Sequence, residues 1–188
     1  MKTACMLGLA LAVGTAAHAG KSVPDVTVYL DPRGVDSAVM HDAQSLAGSM
    51  FAAIGVRVKW AAESRVPPSP AGASAVVHLR MVEQPQAGCE APALGCAFPY
   101  ADGAKAIDIL YPRLKTICKS QSGLESKLLA HVMVHEIAHV LQGVSRHSET
   151  GVMKAHWTGD DYGAMRWKAL PFTAHDVELI RAGIQRLR

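Results

Sequence analysis

A histidine pair one helical turn apart, set inside an almost wholly apolar run, restricts this chain more than any other feature. Residues 124–153 read LESKLLAHVMVHEIAHVLQGVSRHSETGVM, with H-E-x-x-H at His135 to His139. Ser122 and Glu125 match the S-x-x-E signature of a helix start, ahead of Leu128, Leu129, Val132 and Val134. Gly143 follows Val140, Leu141 and Gln142 and can take the left-handed conformation that ends a helix. Apolar residues run nearly all round this segment, so a buried central helix is expected. His131, His135, Glu136 and His139 are its polar exceptions. Burying them costs free energy unless they are paired or hold a metal.

The spacing suits a metal. Residues four apart on a helix share a face, with Cβ atoms about 5–6 Å apart, so His135 and His139 can converge on one cation. Glu136 follows His135 directly and points beside such an ion rather than at it, the place for a general base acting on a zinc-bound water. A third histidine, His147, and then Met153 follow. His147 is the expected third ligand; Glu149, Asp160 and Asp161 are its rivals, because zinc also accepts carboxylates. His131 reads as a core or supporting group. Met153 also fits ordinary core packing. His156, Trp157 and Tyr162 can border a substrate or an oxyanion, although structural roles suit each of them better. His41 and His175 read as helix-face residues, and His78 as a histidine within a strand.

The N-terminus has the pattern of a secretory signal peptide. Lys2 precedes an apolar stretch from Ala4 to Ala16, and Ala17-His18-Ala19 is an A-x-A cleavage site. The stretch is too short for a membrane span of about 20 residues. Residues 1–19 are therefore expected to be removed and residues 20–188 to form a single domain, secreted or periplasmic, without stable membrane insertion. In that oxidising setting Cys89 and Cys96 pair naturally across a short loop, and Cys118 is left as a free, buried thiol. The formal net charge is only +3 and no basic run stands out, so nucleic acid is not an expected partner.

Alternating β-branched runs predict strands at Val26 to Leu30, Val56 to Trp60, Ala75 to Val82 and Ala106 to Tyr111. A short strand from Ala97 to Tyr100 carries Pro99, which confines it to an edge. Asp36 to Ala53 has helical apolar spacing. Pro67 to Pro70 and Gln84 to Leu94 read as loops, and the segment after Met153 as irregular. A last helix spans Thr173 to Leu187, capped by Thr173 with Asp176 as its third residue. The fold class is α+β: a mixed twisted sheet of about five strands, a buried active-site helix and a C-terminal helix.

With these residues set out, the chain resembles the metzincin zinc metallopeptidases, whose pattern is H-E-x-x-H-x-x-G-x-x-H followed by a methionine turn. His135 and His139 match the helical ligands, Glu136 the catalytic glutamate, Gly143 the turning glycine, His147 the third ligand and Met153 the turn methionine. The element order β-α-β-β-β-β-α resembles that clan's N-terminal half, so the likeness covers Val26 to Met153. The motif here is longer, H-E-x-x-H-x-x-x-G-x-x-x-H-S-x-x-G-x-M. Gln142 and Ser145 stand where the clan has its glycine and third histidine, a spacing similar to that of a group of secreted bacterial proteins. The resemblance implies a monomeric zinc endopeptidase acting on peptide or protein substrates, with Zn²⁺ on three histidines and Glu136 as base. It also implies a substrate stretched along the proline-bearing edge strand. The alternative is a non-catalytic zinc-binding or interaction module on the same fold.

Overall fold

The computed structural model describes residues 24–65, 75–89, 92–98 and 105–187. Residues 1–19, read above as a signal peptide, Pro67 to Pro70, and Pro99 with Tyr100 lie outside the described residues. Among the described residues there are five strands: β1 (Asp25–Asp31), β2 (Arg57–Ala62), β3 (Ala75–Met81), β4 (Gly95–Phe98) and β5 (Lys105–Ile109). Five helices accompany them: α1 (Ser37–Ala52), α2 (Tyr111–Cys118), α3 (Glu125–Gln142), α4 (Gly159–Met165) and α5 (Ala174–Arg186).

The strands form one mixed sheet in the order β2-β1-β3-β5-β4. β1, β2, β3 and β5 run parallel; β4 is antiparallel to β5 and closes one edge. The side-chain period of two sorts the faces. Val26, Val28 and Leu30 of β1 lie in register with Ala75, Val77 and Leu79 of β3, and Leu79 with Ile107 of β5. All are buried in one core with α1 and α3. The alternate positions carry polar pairs: Arg80 donates to Asp108, and His78 stacks on Tyr29 and meets Glu63 at 2.9 Å. His78 is thus the sheet histidine its position in a strand suggests.

The helix boundaries follow local chemistry, with three departures from the sequence reading. The Asp36 side chain accepts from the Ala38 and Val39 amides, capping α1. Ser122 does not cap α3: Gly123 bends the chain in a left-handed conformation (φ 75°), and Leu124 takes the cap position with no side-chain bond. Glu125, instead of reaching back to the helix end, accepts a hydrogen bond from the Tyr111 hydroxyl. The second departure is α2, which begins where the last strand was expected to end. Pro112 pre-sets helical φ in its first turn, where the missing N–H costs nothing. The third is α4, in the segment read as irregular. Thr158 and Asp161 form a reciprocal capping box there. Gly143 terminates α3 with φ 68°, and the Thr173–Asp176 box starts α5, both as expected.

Glycine lets α3 and α5 approach each other. A Cβ at Gly183 would overlap the Leu141 carbonyl oxygen on α3. That obstacle is backbone, so it cannot rotate away. Gly183→Ala should therefore force the helices apart and destabilise the protein by about 1–3 kcal/mol, a drop of roughly 2–12 °C in Tm. Thermal unfolding followed by circular dichroism would measure it. An unchanged Tm would mean that the two helices are free to separate.

The Cys89 and Cys96 sulfurs are at disulfide distance with Cα atoms 5.8 Å apart, as expected. Cys118 carries a free thiol that is half-buried rather than fully so, and burial pushes it up to about 11. Non-reducing peptide mapping should return Cys89 joined to Cys96. A fragment joining either of them to Cys118 would contradict the arrangement.

Candidate metal centre

Helix α3 is buried from Leu128 to Gln142, so each of its polar groups needs an explanation. His131 has one within the protein. Its Nδ1 donates to the Lys127 carbonyl at 2.7 Å, and its Nε2 accepts from the Leu170 amide at 2.9 Å. Both ring nitrogens are engaged and burial lowers its pKa, so His131 is a neutral structural histidine, in keeping with the core role expected of it.

His135 and His139 are arranged differently. The Nδ1 of His135 faces the Val152 carbonyl at 2.9 Å, and that of His139 faces the Val144 carbonyl at 3.2 Å. A carbonyl carries no proton, so each Nδ1 must donate, which leaves each Nε2 as a bare lone pair in the neutral ring. Those two Nε2 atoms lie 3.0 Å apart. Two lone pairs aimed at each other repel unless a cation or a proton lies between them. Burial, and then the neighbouring imidazole charges, hold His135 down at about 3 and His139 at about 4. Both shifts disfavour a proton as the shared cation, and a metal ion fits. Carbonyl acceptors on the far nitrogens are the usual support for metal-bound imidazole.

His147 completes the group. The candidate ligand atoms of His135, His139 and His147 all lie within 4.8 Å of one another. Its ring stacks on that of His135 with centroids 5.3 Å apart and meets that of His139 edge-on at 4.9 Å. His147 is exposed where the other two are buried, so this side of the centre opens to solvent. Burial, together with the charge of His156, lowers its pKa too. The carboxylates weighed against it are not part of this cluster. Asp161 accepts from Lys154 and Thr158, while Glu149 and Asp160 are exposed.

One turn serves both His147 and His135. The Ser148 amide donates to the Met153 carbonyl at 2.8 Å, closing the turn, and Val152 within it supplies the carbonyl for His135. The Met153 side chain is fully buried. Gly151 carries φ 78°, and a Cβ there would strike the Pro171 carbonyl oxygen, which in turn accepts from the Val152 amide. Trp157 sits edge-on to both His135 and His131, and its indole N–H is buried with no hydrogen-bond partner among the described residues.

The residue that sequence reasoning missed is Asp176. It is fully buried at the start of α5. Its Oδ1 accepts from the Ser148 hydroxyl at 2.6 Å and from Arg146 at 3.3 Å, the two neighbours of His147. Its Oδ2 accepts from the Thr173 hydroxyl at 2.7 Å. Burial alone would raise this carboxyl; the bonds from Ser148 and Thr173 and the Arg146 charge outweigh it and hold it below the usual range. The only local signal was the Thr173–Asp176 capping box, which says nothing of a partner near residue 147. Asp176→Asn should keep the cap acceptor but weaken the hold on the loop. Metal affinity should fall about tenfold, within the range for groups that support ligands, with a smaller change in metal-free stability. Chelator competition together with metal-free thermal melts would separate the two.

Glu136 follows His135 but turns to the edge strand. It is buried and accepts from the Ala97 backbone on β4; burial pushes its carboxyl up to about 8, against the lowering effect of that bond. Gly95 makes the room, since a Cβ there would come within 2.8 Å of the Glu136 Cγ. A carboxyl group thus stands between the histidine helix and the sheet edge, outside the ligand cluster. None of the described helices is long and apolar enough to cross a membrane. No family model matches this sequence, and no curated protein matches it.

Proposed function

We propose that the protein is a zinc-dependent endopeptidase of the metzincin-like zincin type, with His135, His139 and His147 as zinc ligands and Glu136 as general base. The observation that carries the reading is the pair of Nε2 lone pairs 3.0 Å apart, each fixed by a carbonyl behind it, with a third imidazole on the solvent side. Three neutral imidazoles are a donor set suited to Zn²⁺ and leave one position open. A zinc ion held there supplies Lewis acidity toward a water and a carbonyl group.

The chain's own residues supply the rest. Glu136 takes a proton from the attacking water and delivers it to the leaving amine, one carboxyl serving both transfers. β4 offers an edge to an extended peptide, which would lie beside Glu136 as an added strand. The Cys89–Cys96 loop leads into that strand and stiffens one border of the cleft. The substrate is then a peptide or protein segment. We take the enzyme to be a monomeric single domain over residues 20–188, secreted or periplasmic after removal of residues 1–19. The disulfide fits such a compartment. A structural zinc site is normally closed by four protein ligands. Among the described residues the cluster offers three, which favours the catalytic reading over a non-catalytic module.

Metal analysis and a broad peptide-library digest test it together. About one zinc per molecule and cleavage abolished by a chelator are expected. Absence of zinc from both native and zinc-supplemented protein would remove the basis of the reading.

A further inference from the structure

The sheet has a second edge, at the opposite end of the strand order from β4. Among the described residues no strand pairs with the outer side of β2. The Arg57 amide donates to the Pro24 carbonyl at 3.0 Å, on the β1 side. In a strand the N–H and C=O of one residue point the same way and alternate along the chain. The N–H and C=O groups of Val58 and Trp60 therefore point away from the sheet, with no strand partner among the described residues. A groove of about 670 Å³ runs beside them, between β2 and α1, with Val58, Trp60, Gly48 and Ala52 among its walls. Val58 and Trp60 lie in register with the buried Val26 and Val28, so their side chains face α1 and the groove. The lack of a side chain at Gly48 leaves the space against the Trp60 indole open.

The other face of β2 is cationic. Arg57 and Lys59 both pair with Asp25, at 3.2 Å and 2.5 Å, and their side chains remain 59% and 56% exposed. One carboxylate facing two cations leaves a positive charge in excess. An added strand would set one row of its side chains over the groove and the alternate row beside Arg57 and Lys59. The two faces of β2 thus specify two chemistries in alternation.

We propose that the free edge of β2 and its groove dock an extended segment of a partner polypeptide in which apolar and acidic residues alternate. Its apolar side chains enter the groove over Val58 and Trp60. Its acidic ones meet Arg57 and Lys59, and its backbone pairs with Val58 and Trp60. A second copy of this chain is a poor occupant, because pairing β2 with β2 brings the two cationic rows together. This surface is independent of the three histidines.

The test uses the purified protein and a fluorescent hexapeptide alternating glutamate with valine, read by anisotropy. Saturable binding is expected. It should weaken about fivefold to tenfold when lysine replaces glutamate in the peptide, as two cross-strand charge pairs imply, and by less in Lys59→Glu, which alters one of them. Gly48→Phe, which fills the groove, should abolish binding, with circular dichroism confirming that α1 still folds. Should that variant misfold, N-methylation of alternate peptide amides removes the strand pairing without touching the protein and should abolish binding equally. No saturable binding, binding indifferent to peptide charge or to N-methylation, or a protein dimer that excludes the peptide would each overturn the proposal.

Discussion

His139→Ala should leave the protein folded and without its metal. The two Nε2 atoms stand 3.0 Å apart. Removing one imidazole removes one of three donors and the partner that makes the other lone pair a chelating one. Bound metal should fall from about one per molecule to a small fraction at micromolar protein, because a site of two imidazoles is much weaker than one of three. His147→Ala should do the same, although His147 is exposed and contributes less to packing. Its loss tests whether the turn from Val144 to His147 returns the chain to the helix. Glu149→Ala, Asp160→Ala and Asp161→Ala should each retain the metal; the Asp161 variant should instead lower stability, by losing the α4 capping box and the bond to Lys154. Inductively coupled plasma analysis of the five purified variants settles the ligand set. Metal retained in His147→Ala and lost in one of the carboxylate variants would assign the third ligand elsewhere.

The same residues show what a sequence discloses. His135 and His139 were legible because helical periodicity alone places them on one face, and Gly143 because one residue type suits a left-handed stop. His147 was legible only as a candidate, since the path from Gly143 depends on contacts distant in the chain. Ser148 meets Asp176 twenty-eight positions away, and Val152 meets Pro171. No local pattern encodes such a pairing. The two unread helices, α2 and α4, are 8 and 7 residues long, too short to establish an apolar period. Their signals were single residues: Pro112 in the first turn of one, the Thr158–Asp161 box of the other. The S-x-x-E pattern before α3 failed for the opposite reason. It matched locally, but Gly123 turned the chain and Tyr111 took the glutamate. Strand existence was readable from alternation. The parallel order, which leaves β2 and β4 as the two edges, was not, because pairing is decided between distant segments.

Glu136→Gln should separate chemistry from metal binding. Glutamine keeps the size and the acceptor oxygen that meets the Ala97 backbone, so the packing between α3 and β4 should persist. It cannot take a proton from water. Peptide hydrolysis should fall by a factor on the order of 10² or more, the usual worth of a positioned acid–base group, while metal content stays at about one per molecule. Gly95→Ala approaches the same carboxyl from the other side. Its methyl would meet the Glu136 Cγ at 2.8 Å, so the side chain must move even though no donor or acceptor changes. Activity should drop with the metal in place, by less than in Glu136→Gln, since a displaced base still accepts protons. Turnover of a peptide found by library digest, measured alongside metal content, reads both. Loss of metal in Glu136→Gln would make the carboxylate part of the ligand set. Full activity in that variant would remove Glu136 from the chemistry and leave the three histidines as a binding site alone.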